Sequence, residues 1–218
     1  MNRMERTYSQ KLLAQLAAYN HPDPTRAMAF DLFTPFLNEG RVDPWLLKVL
    51  GVSGAEYRGE FEKVFDSDEN TRFVFYMEAD SGMRIFFDVK LAESGFGVCE
   101  DDERHRDALE RRYRPHLREH VDAKWLEPAK FFGNEEVMRK LSYLGRYPDS
   151  GMVFIYPKAN EGLKDAEEEI KHIVSRTLAP RVAILYLEYL VERILEATAD
   201  DAALREHFLA FRDKYICI

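Results

Sequence analysis

Two runs rich in aromatic and β-branched residues, Thr71-Arg-Phe-Val-Phe-Tyr-Met-Glu-Ala79 and Met83-Arg-Ile-Phe-Phe-Asp-Val-Lys-Leu91, stand on either side of Asp80-Ser-Gly82. Such runs joined by a short segment that contains glycine predict a β-hairpin. A three-residue hairpin loop needs one residue in the left-handed region, which glycine adopts without steric cost. We therefore expect a tight turn at Gly82, with two strands that pair outward from it.

The turn fixes which side chains lie opposite each other. Counted outward from Gly82, Glu78 faces Arg84 and Val74 faces Asp88. Directly opposed residues of an antiparallel pair have β-carbons ~5 Å apart. The side chains of Val74 and Asp88 are therefore expected to be neighbours.

Alternation along the two strands separates two faces of the hairpin. The first face is apolar and is predicted to be core; it holds Phe73, Phe75, Met77, Ile85, Phe87, Val89 and Leu91. The second face mixes charged and aromatic side chains; it holds Arg72, Val74, Tyr76, Glu78, Arg84, Phe86, Asp88 and Lys90. Because the second face is too polar for a simple core and too apolar for an ordinary surface, it is the candidate place for a functional site.

Asp88-Val-Lys90 places a carboxylate and an ammonium on this mixed face, two residues apart. A carboxylate can bind a divalent cation, and a neighbouring lysine can contact a scissile phosphate or an attacking water. The alternative interpretation is an ion pair on a solvated strand, since a tripeptide alone is a weak signal.

The rest of the chain predicts helices and strands around the hairpin. Before the hairpin, the predicted elements are helices over 5–19, from Thr25, and from Pro44 to about Gly51, followed by a strand over 56–65. After the hairpin they are a charged helical region over 101–147, a strand over 152–156 and a helix over 161–175. A strand over 181–187 then runs into a helix that ends at about 198, and a last helix covers 201–215. This order predicts an α/β fold, with a mixed sheet that contains an antiparallel meander and is flanked by helices. We expect a single domain over 1–218, with N-terminal helices in 1–50, the core in 54–195 and a C-terminal helix in 200–218.

Composition excludes several classes of protein. The chain has 218 residues, of which 46% are hydrophobic and 32% charged, as is typical of globular rather than disordered proteins. The start has no apolar signal core, and charged residues interrupt the longest apolar stretch, 182–195, so we expect a cytoplasmic protein with no membrane span. A net charge of −8 excludes a uniformly basic surface for nucleic acid but permits a local basic groove.

Three segments carry a family resemblance: Thr25-Arg-Ala-Met-Ala-Phe-Asp31, Thr71-Arg-Phe-Val-Phe-Tyr-Met-Glu78 and Asp88-Val-Lys90-Leu-Ala-Glu93-Ser-Gly-Phe96-Gly97. Together with the predicted order of elements, they resemble the restriction-endonuclease-like, PD-(D/E)xK nuclease superfamily, and within it a prokaryotic restriction endonuclease subgroup. The resemblance implies a restriction-endonuclease-like core that hydrolyses phosphodiester bonds of DNA with Mg²⁺ or Mn²⁺. It also implies a possible homodimer.

The same resemblance assigns roles to individual residues. Asp88 would bind the metal, and Lys90 would stabilise the phosphorane charge or orient water. Val74 stands where the family has its first metal-binding aspartate, so Glu62 would have to act as the second metal ligand or Glu78 would have to assist. If neither does so, the alternative is a catalytically inactive nuclease-fold protein that binds nucleic acid or a protein partner.

A local excess of arginine follows the hairpin. Between 104 and 118 the only acidic residues are Asp107 and Glu110. The arginines are Arg104, Arg106, Arg111, Arg112, Arg114 and Arg118. Since guanidinium groups suit phosphate contacts, this segment is predicted to bind the DNA backbone. The alternative is a solvated helix whose arginines pair with acidic neighbours.

His116-Leu-Arg-Glu-His120 offers a different class of function. It matches the H-x-x-E-H string of zinc peptidases, in which two histidines on one helix bind the metal. Such a site would need a third ligand, for which Glu188 or Glu192 is a candidate. Neighbouring arginines would repel a dication, so we rank this interpretation below the nuclease.

Overall fold

The computed structural model describes residues 23–66 and 71–216. Within them the strands are β1 Leu37–Asn38, β2 Arg41–Val42, β3 Tyr57–Val64, β4 Arg72–Ala79, β5 Arg84–Val89, β6 Ser150–Tyr156 and β7 Val182–Tyr186. The α-helices are α1 Pro24–Phe33, α2 Pro44–Leu50, α3 Glu103–Ala108, α4 Arg114–Leu117, α5 Pro128–Phe132, α6 Glu135–Arg146, α7 Lys164–Ile173, α8 Leu187–Ala197 and α9 Ala202–Tyr215. The predicted helix over 5–19 lies outside the described residues.

The strands form one curled sheet in chain order, from β1 to β7. Pairing is antiparallel from β1 to β5 and parallel from β5 through β6 to β7. Parallel neighbours need long crossover connections, and the helices between β5 and β6 and between β6 and β7 provide them. This mixed sheet confirms the predicted α/β fold and is consistent with the restriction-endonuclease-like fold.

The β4–β5 hairpin has the register that the sequence predicts. The Ala79 backbone N–H donates to the Met83 carbonyl oxygen at 2.9 Å, and Gly82 has φ +87°. Glu78 pairs with Arg84 across the strands. The left-handed glycine therefore sets the alignment of the pairs from Glu78–Arg84 out to Phe75–Phe87.

Helices cover both faces of the sheet, and each face carries its own apolar cluster. On the first face, α1, α2, α8 and α9 pack on β4 and β5, with Phe33 stacked on Phe75 at a centroid distance of 4.1 Å. On the second face, α4, α5, α6 and α7 pack around Phe86 and Phe154. No helix within residues 23–66 and 71–216 is long and apolar enough to cross a membrane.

The predicted alternation of β4 is wrong at one end, because β3 and β4 change faces at Glu62. Glu62 has φ +54°, and the ladder passes from the Phe61–Phe75 pair directly to the Lys63–Phe73 pair. Phe73 consequently packs in the second cluster, 4.6 Å from Phe86, rather than beside Phe75. Val74 packs against the first cluster, so it does not share a face with Asp88 as the alternation predicts.

Two local predictions also need correction. The helix predicted from Thr25 begins at Pro24, and Asp23 caps it, since the Asp23 Oδ1 accepts hydrogen bonds from the backbone N–H groups of Thr25 and Arg26. The helical region predicted over 101–147 is divided into α3, α4, α5 and α6, with a π-helical turn at Leu109–Tyr113. Pro115 and Pro128, each near a helix start, favour these breaks.

Replacing the turn glycine tests the hairpin directly. Gly82→Ala is expected to lower the free energy of unfolding by about 1–2 kcal/mol, because a β-carbon is strained at positive φ. Gly95→Ala is the matched control, since Gly95 has open space around it and ordinary backbone geometry. Chemical denaturation of both variants measures the difference, and equal stabilities would contradict the assigned turn.

Candidate active site

Asp88 and Lys90 lie at the end of β5, on the face that α6 covers. Asp88 is only 2% exposed and pairs in the sheet with Phe154 of β6. The Lys90 backbone N–H continues this pairing by donating to the Ile155 carbonyl oxygen at 2.9 Å. The backbone at both residues is thus held by pairing with β6, which is a rigid support for a site.

Lys140 of α6 reaches down to Asp88. Its Nζ lies 2.6 Å from Asp88 Oδ2 and 2.6 Å from Glu136 Oε1. Lys140 is 3% exposed, and a buried charge of this kind is stable only when it is paired. One ammonium therefore joins a carboxylate of the sheet to a carboxylate of the helix.

Glu136 also binds the second lysine of the site. Lys90 Nζ donates to Glu136 Oε1 at 3.0 Å and to Oε2 at 3.1 Å. The four side chains Asp88, Lys90, Glu136 and Lys140 form a continuous network, which we call the charge cluster. Lys90 and Glu136 are its more exposed members, with side-chain exposures of 12% and 20%, so the cluster is open to solvent on their side.

The position of the helix residues follows from the pattern of α6. Glu136 and Lys140 are separated by one helical turn and therefore project in the same direction. The apolar residues between them and after them, Val137, Met138, Leu141 and Leu144, are buried against the second cluster. The burial of these neighbours draws both charged side chains toward the sheet.

The segment after β5 closes one side of the cluster. Gly97 has φ +81°, and a β-carbon placed there would lie 2.9 Å from Glu136 Oε2, so only glycine allows this approach. Phe96 is buried, and its ring centroid lies 5.8 Å from Lys90 Nζ. The sequence Phe96-Gly97 thus packs directly against the outer members of the cluster.

Glu93 links the cluster to α1. Its Oε1 accepts a hydrogen bond from Thr25 Oγ1 at 2.9 Å, and its Oε2 accepts from the backbone N–H groups of Leu91 and Ala92 at 2.7 and 3.0 Å. The Asn160 side-chain amide donates to the carbonyl oxygens of Leu91 and Glu93. These contacts, in which every donor to Glu93 is uncharged, hold a third carboxylate near Lys90.

Opposite charges shift the pKa values of Lys90 and Glu136, the two outer members of the cluster. Burial acts to lower the pKa of Lys90, but the negative charges of Asp88, Glu136 and Glu93 outweigh it and raise the pKa. Burial acts to raise the pKa of Glu136, but Lys140 and Lys90 outweigh it and lower the pKa. Both groups are therefore charged at neutral pH.

Glu62 and Glu78, the predicted partners of Asp88, lie elsewhere. Glu62 Oε2 is 2.8 Å from Arg72 and 3.9 Å from Arg26 of α1, which places Glu62 toward the first face. Glu78 pairs with Arg84 at 2.9 Å next to the turn, four residues along β5 from Asp88. The structure does not bring either glutamate to Asp88, because the face change at Glu62 and the hairpin register direct them away.

Asp88 instead pairs with Lys140, which in turn pairs with Glu136. The sequence contained a signal for the burial of Lys140. Lys140 stands three residues after Val137 and four before Leu144, so it occupies a core position of an amphipathic helix. A lysine at such a position needs a buried carboxylate, and Glu136 one turn earlier is its natural first partner. The sequence could not show that Asp88 would be the second.

The carboxylates of the cluster suit a hard divalent cation. Asp88 and Glu136 already share one cation, the Lys140 ammonium, and Mg²⁺ is commonly held by one or two carboxylates together with water and substrate phosphates. No group of three or more His, Cys, Asp or Glu side chains in the described part of the chain is arranged to hold a metal. Asp88 and Glu136 are therefore the two carboxylates of the cluster that could hold such a cation.

Acidic side chains lie next to most arginines of the segment 104–118, so its surface carries less positive charge than the sequence suggests. Four of the six arginines form ion pairs: Arg106 with Asp101, Arg111 with Asp107, Arg114 with Glu110 and Arg118 with Glu119. An open depression on this surface is lined by Asp102, Glu103, Arg104, Arg106, Asp107, Glu110 and Arg111. Acidic neighbours offset much of the positive charge, so Arg104 and Arg112 remain the stronger candidates for phosphate contacts.

The structure does not support the zinc-peptidase interpretation. Helix α4 ends at Leu117, and the backbone N–H of His120 donates to the Leu117 carbonyl oxygen in the turn that follows. His116 and His120 therefore do not lie on one continuous helix, as an H-x-x-E-H site requires. The candidate third ligand Glu188 instead accepts a hydrogen bond from the Lys158 backbone N–H at 2.9 Å.

Comparison with known proteins places the chain in a family. A family model described as "Restriction Endonuclease associating with ARP" (REase-ARP) matches residues 14–216. The chain belongs to this restriction endonuclease family. No curated protein and no solved structure gives a significant match. As a member of the REase-ARP family the protein is nuclease-like, which confirms the restriction-endonuclease resemblance.

Removal of the shared carboxylate tests the charge cluster. Glu136→Gln is expected to lower the free energy of unfolding by about 3 kcal/mol at pH 7, because it leaves two buried ammonium groups with one full carboxylate. The pKa of Glu136 is lowered on folding, so its contribution is present above its ordinary pKa of 4.5 and is lost as the pH falls through the folded value. The difference in the free energy of unfolding between wild type and Glu136→Gln should therefore shrink as the pH falls below 4.5.

Denaturation at several pH values makes the measurement. Glu168→Gln is the matched control, since Glu168 is exposed and pairs only at the surface with Lys171; its cost should stay within about 0.5 kcal/mol. A Glu136→Gln cost as small as that of the control would mean that the cluster is not buried as described.

Proposed function

We propose that the protein is a DNA endonuclease that hydrolyses phosphodiester bonds at the charge cluster. The observation that carries the proposal is the pair of buried Asp88 and partly exposed Lys90 at the end of β5, where Lys90 contacts a second carboxylate, Glu136, in a member of a restriction endonuclease family. A PD-(D/E)xK site needs an acid and a lysine on one strand with another acid nearby, and these residues supply that set.

Each residue has a distinct part in the proposed reaction. Lys90 sits at the more exposed side of the cluster, where its ammonium can stabilise the negative charge that develops on the phosphorane or orient the attacking water. Asp88 and Glu136 would hold Mg²⁺ or Mn²⁺, which supplies Lewis-acid polarisation of a phosphoryl oxygen when it is bound. Glu93 fixes the turn after β5 through its two backbone contacts and so keeps Lys90 in position.

DNA would approach from the side of Lys90 and Glu136. Asp88 and Lys140 are too buried to meet a phosphate directly. Arg104 and Arg112 would then contact the backbone at a distance from the scissile bond, since guanidinium groups bind phosphates well. The net charge of −8 makes this binding depend on a local surface rather than on the whole protein.

A second candidate function is a catalytically inactive nuclease-fold protein that binds nucleic acid or a partner. The observation that favours it is the pairing of Asp88 with Lys140, which already neutralises the one carboxylate that the motif provides. Val74, at the family's aspartate position, offers no replacement. The two candidates differ in a single measurable property, the cleavage of DNA.

Cleavage of plasmid DNA with Mg²⁺ or Mn²⁺ tests the proposal. Wild type is expected to cut, and Asp88→Asn and Lys90→Met are each expected to lower the rate by about 100-fold or more, as for loss of a group that acts in the transition state. Lys164→Met and Glu168→Gln are the matched controls, because both residues are exposed and lie on α7. Wild type that binds DNA without cutting it would favour the inactive alternative.

A further inference from the structure

We infer that Lys140 is a built-in counter-cation that occupies the metal position of the charge cluster and must leave it before a divalent cation can bind. The inference rests on the proposed function, since it concerns the same two carboxylates. It adds a property that the nuclease motif does not contain, namely a protein side chain that competes with the metal.

The position of the ammonium is the first argument. Lys140 Nζ is 2.6 Å from Asp88 Oδ2 and 2.6 Å from Glu136 Oε1, so it contacts one oxygen of each carboxylate. Mg²⁺ binds oxygen ligands at about 2.0–2.1 Å. A dication that used the same two oxygens would therefore need nearly the same place.

Charge is the second argument. Two carboxylates are matched by the two ammonium groups of Lys90 and Lys140, so the four charges of the cluster balance without a metal. Adding a dication while Lys140 stays would place like charges in contact in a buried region, where repulsion is poorly screened. Binding of the metal and pairing of Lys140 with Asp88 thus exclude each other.

The two lysines differ in a way that assigns the blocking role to Lys140. Lys90 belongs to the strand motif, is partly exposed and binds both oxygens of Glu136 from the outer side. Lys140 comes from the helix, is buried, and lies between the sheet carboxylate and the helix carboxylate. Its four-carbon stem allows the ammonium to withdraw while the α6 backbone stays in place.

The expected consequence is a weak apparent affinity for metal. A ligand that binds only the minor state of a protein has its dissociation constant increased by the reciprocal of that state's population. If the ion pair keeps Lys140 in place for most of the time, wild type binds metal weakly, and removal of the ammonium restores the intrinsic affinity.

Binding of Mn²⁺ alone to the full chain at neutral pH, followed by electron paramagnetic resonance of the free ion, tests the inference. Lys140→Met is expected to bind Mn²⁺ at least tenfold more tightly than wild type. Lys140→Arg keeps the positive charge and should bind as weakly as wild type, and Lys164→Met, on the exposed surface of α7, should also match wild type. A merely structural lysine would not raise metal affinity when it is removed.

Thermal unfolding gives a readout that does not depend on activity. Without Mn²⁺, Lys140→Met should unfold at a lower temperature than wild type, and saturating Mn²⁺ should raise its midpoint more than it raises that of wild type. If Lys140→Met fails to fold without metal, Lys140→Gln replaces it, and the same tenfold tightening is expected. A variant without the ammonium that binds Mn²⁺ no more tightly than wild type overturns the inference.

The DNA-cleavage assay separates this inference from the proposed function. Tighter Mn²⁺ binding by Lys140→Met, with no cleavage by any form of the protein, would support the competing lysine and overturn the nuclease. Cleavage by wild type, with unchanged Mn²⁺ affinity in Lys140→Met, would support the nuclease and overturn the competing lysine.

Discussion

The contact between Lys140 and Asp88 joins the two parts of the molecule on which the site depends. One partner lies on the central strand β5 and the other on helix α6, which covers the second face of the sheet. Both groups are buried, and charged side chains are tolerated in a protein interior only when they are paired, so this contact ties the strand to the helix. Glu136 extends the network to Lys90, so the position of the helix, the end of the strand and the charge of the site are fixed together.

Much of the fold could be predicted from the sequence, because its signals are local. The turn at Gly82, the helix that starts at Pro44, and the strands 152–156 and 181–187 follow from turn chemistry and apolar patterning, and the structure has them. The face change at Glu62 could not be predicted, since it depends on a positive φ in a residue that rarely adopts it. That single departure separates Glu62 and Val74 from Asp88.

Two of the four residues of the charge cluster, Asp88 and Lys90, could be predicted from the sequence. Asp88 lies on β5 and Lys90 follows that strand directly, so alternation alone places their side chains on one face. Glu136 and Lys140 lie almost fifty residues further along, and their contact with β5 depends on how α6 packs, which no local pattern determines. The arginines of 104–118 show the same limit in another form: their acidic partners are near in sequence, but only the structure shows which pairs form. Membership in a restriction endonuclease family then gives the charge cluster a chemical context.

The most direct test of the buried cluster is a double-mutant cycle on the free energy of unfolding, with Asp88→Asn, Lys140→Met and the double variant. If the two side chains form a buried ion pair, the effects are coupled, and the double variant should be more stable than the sum of the single changes predicts by about 1–3 kcal/mol. Effects that add within about 0.5 kcal/mol would show that Asp88 and Lys140 do not interact, and would contradict both the described site and the role inferred for Lys140.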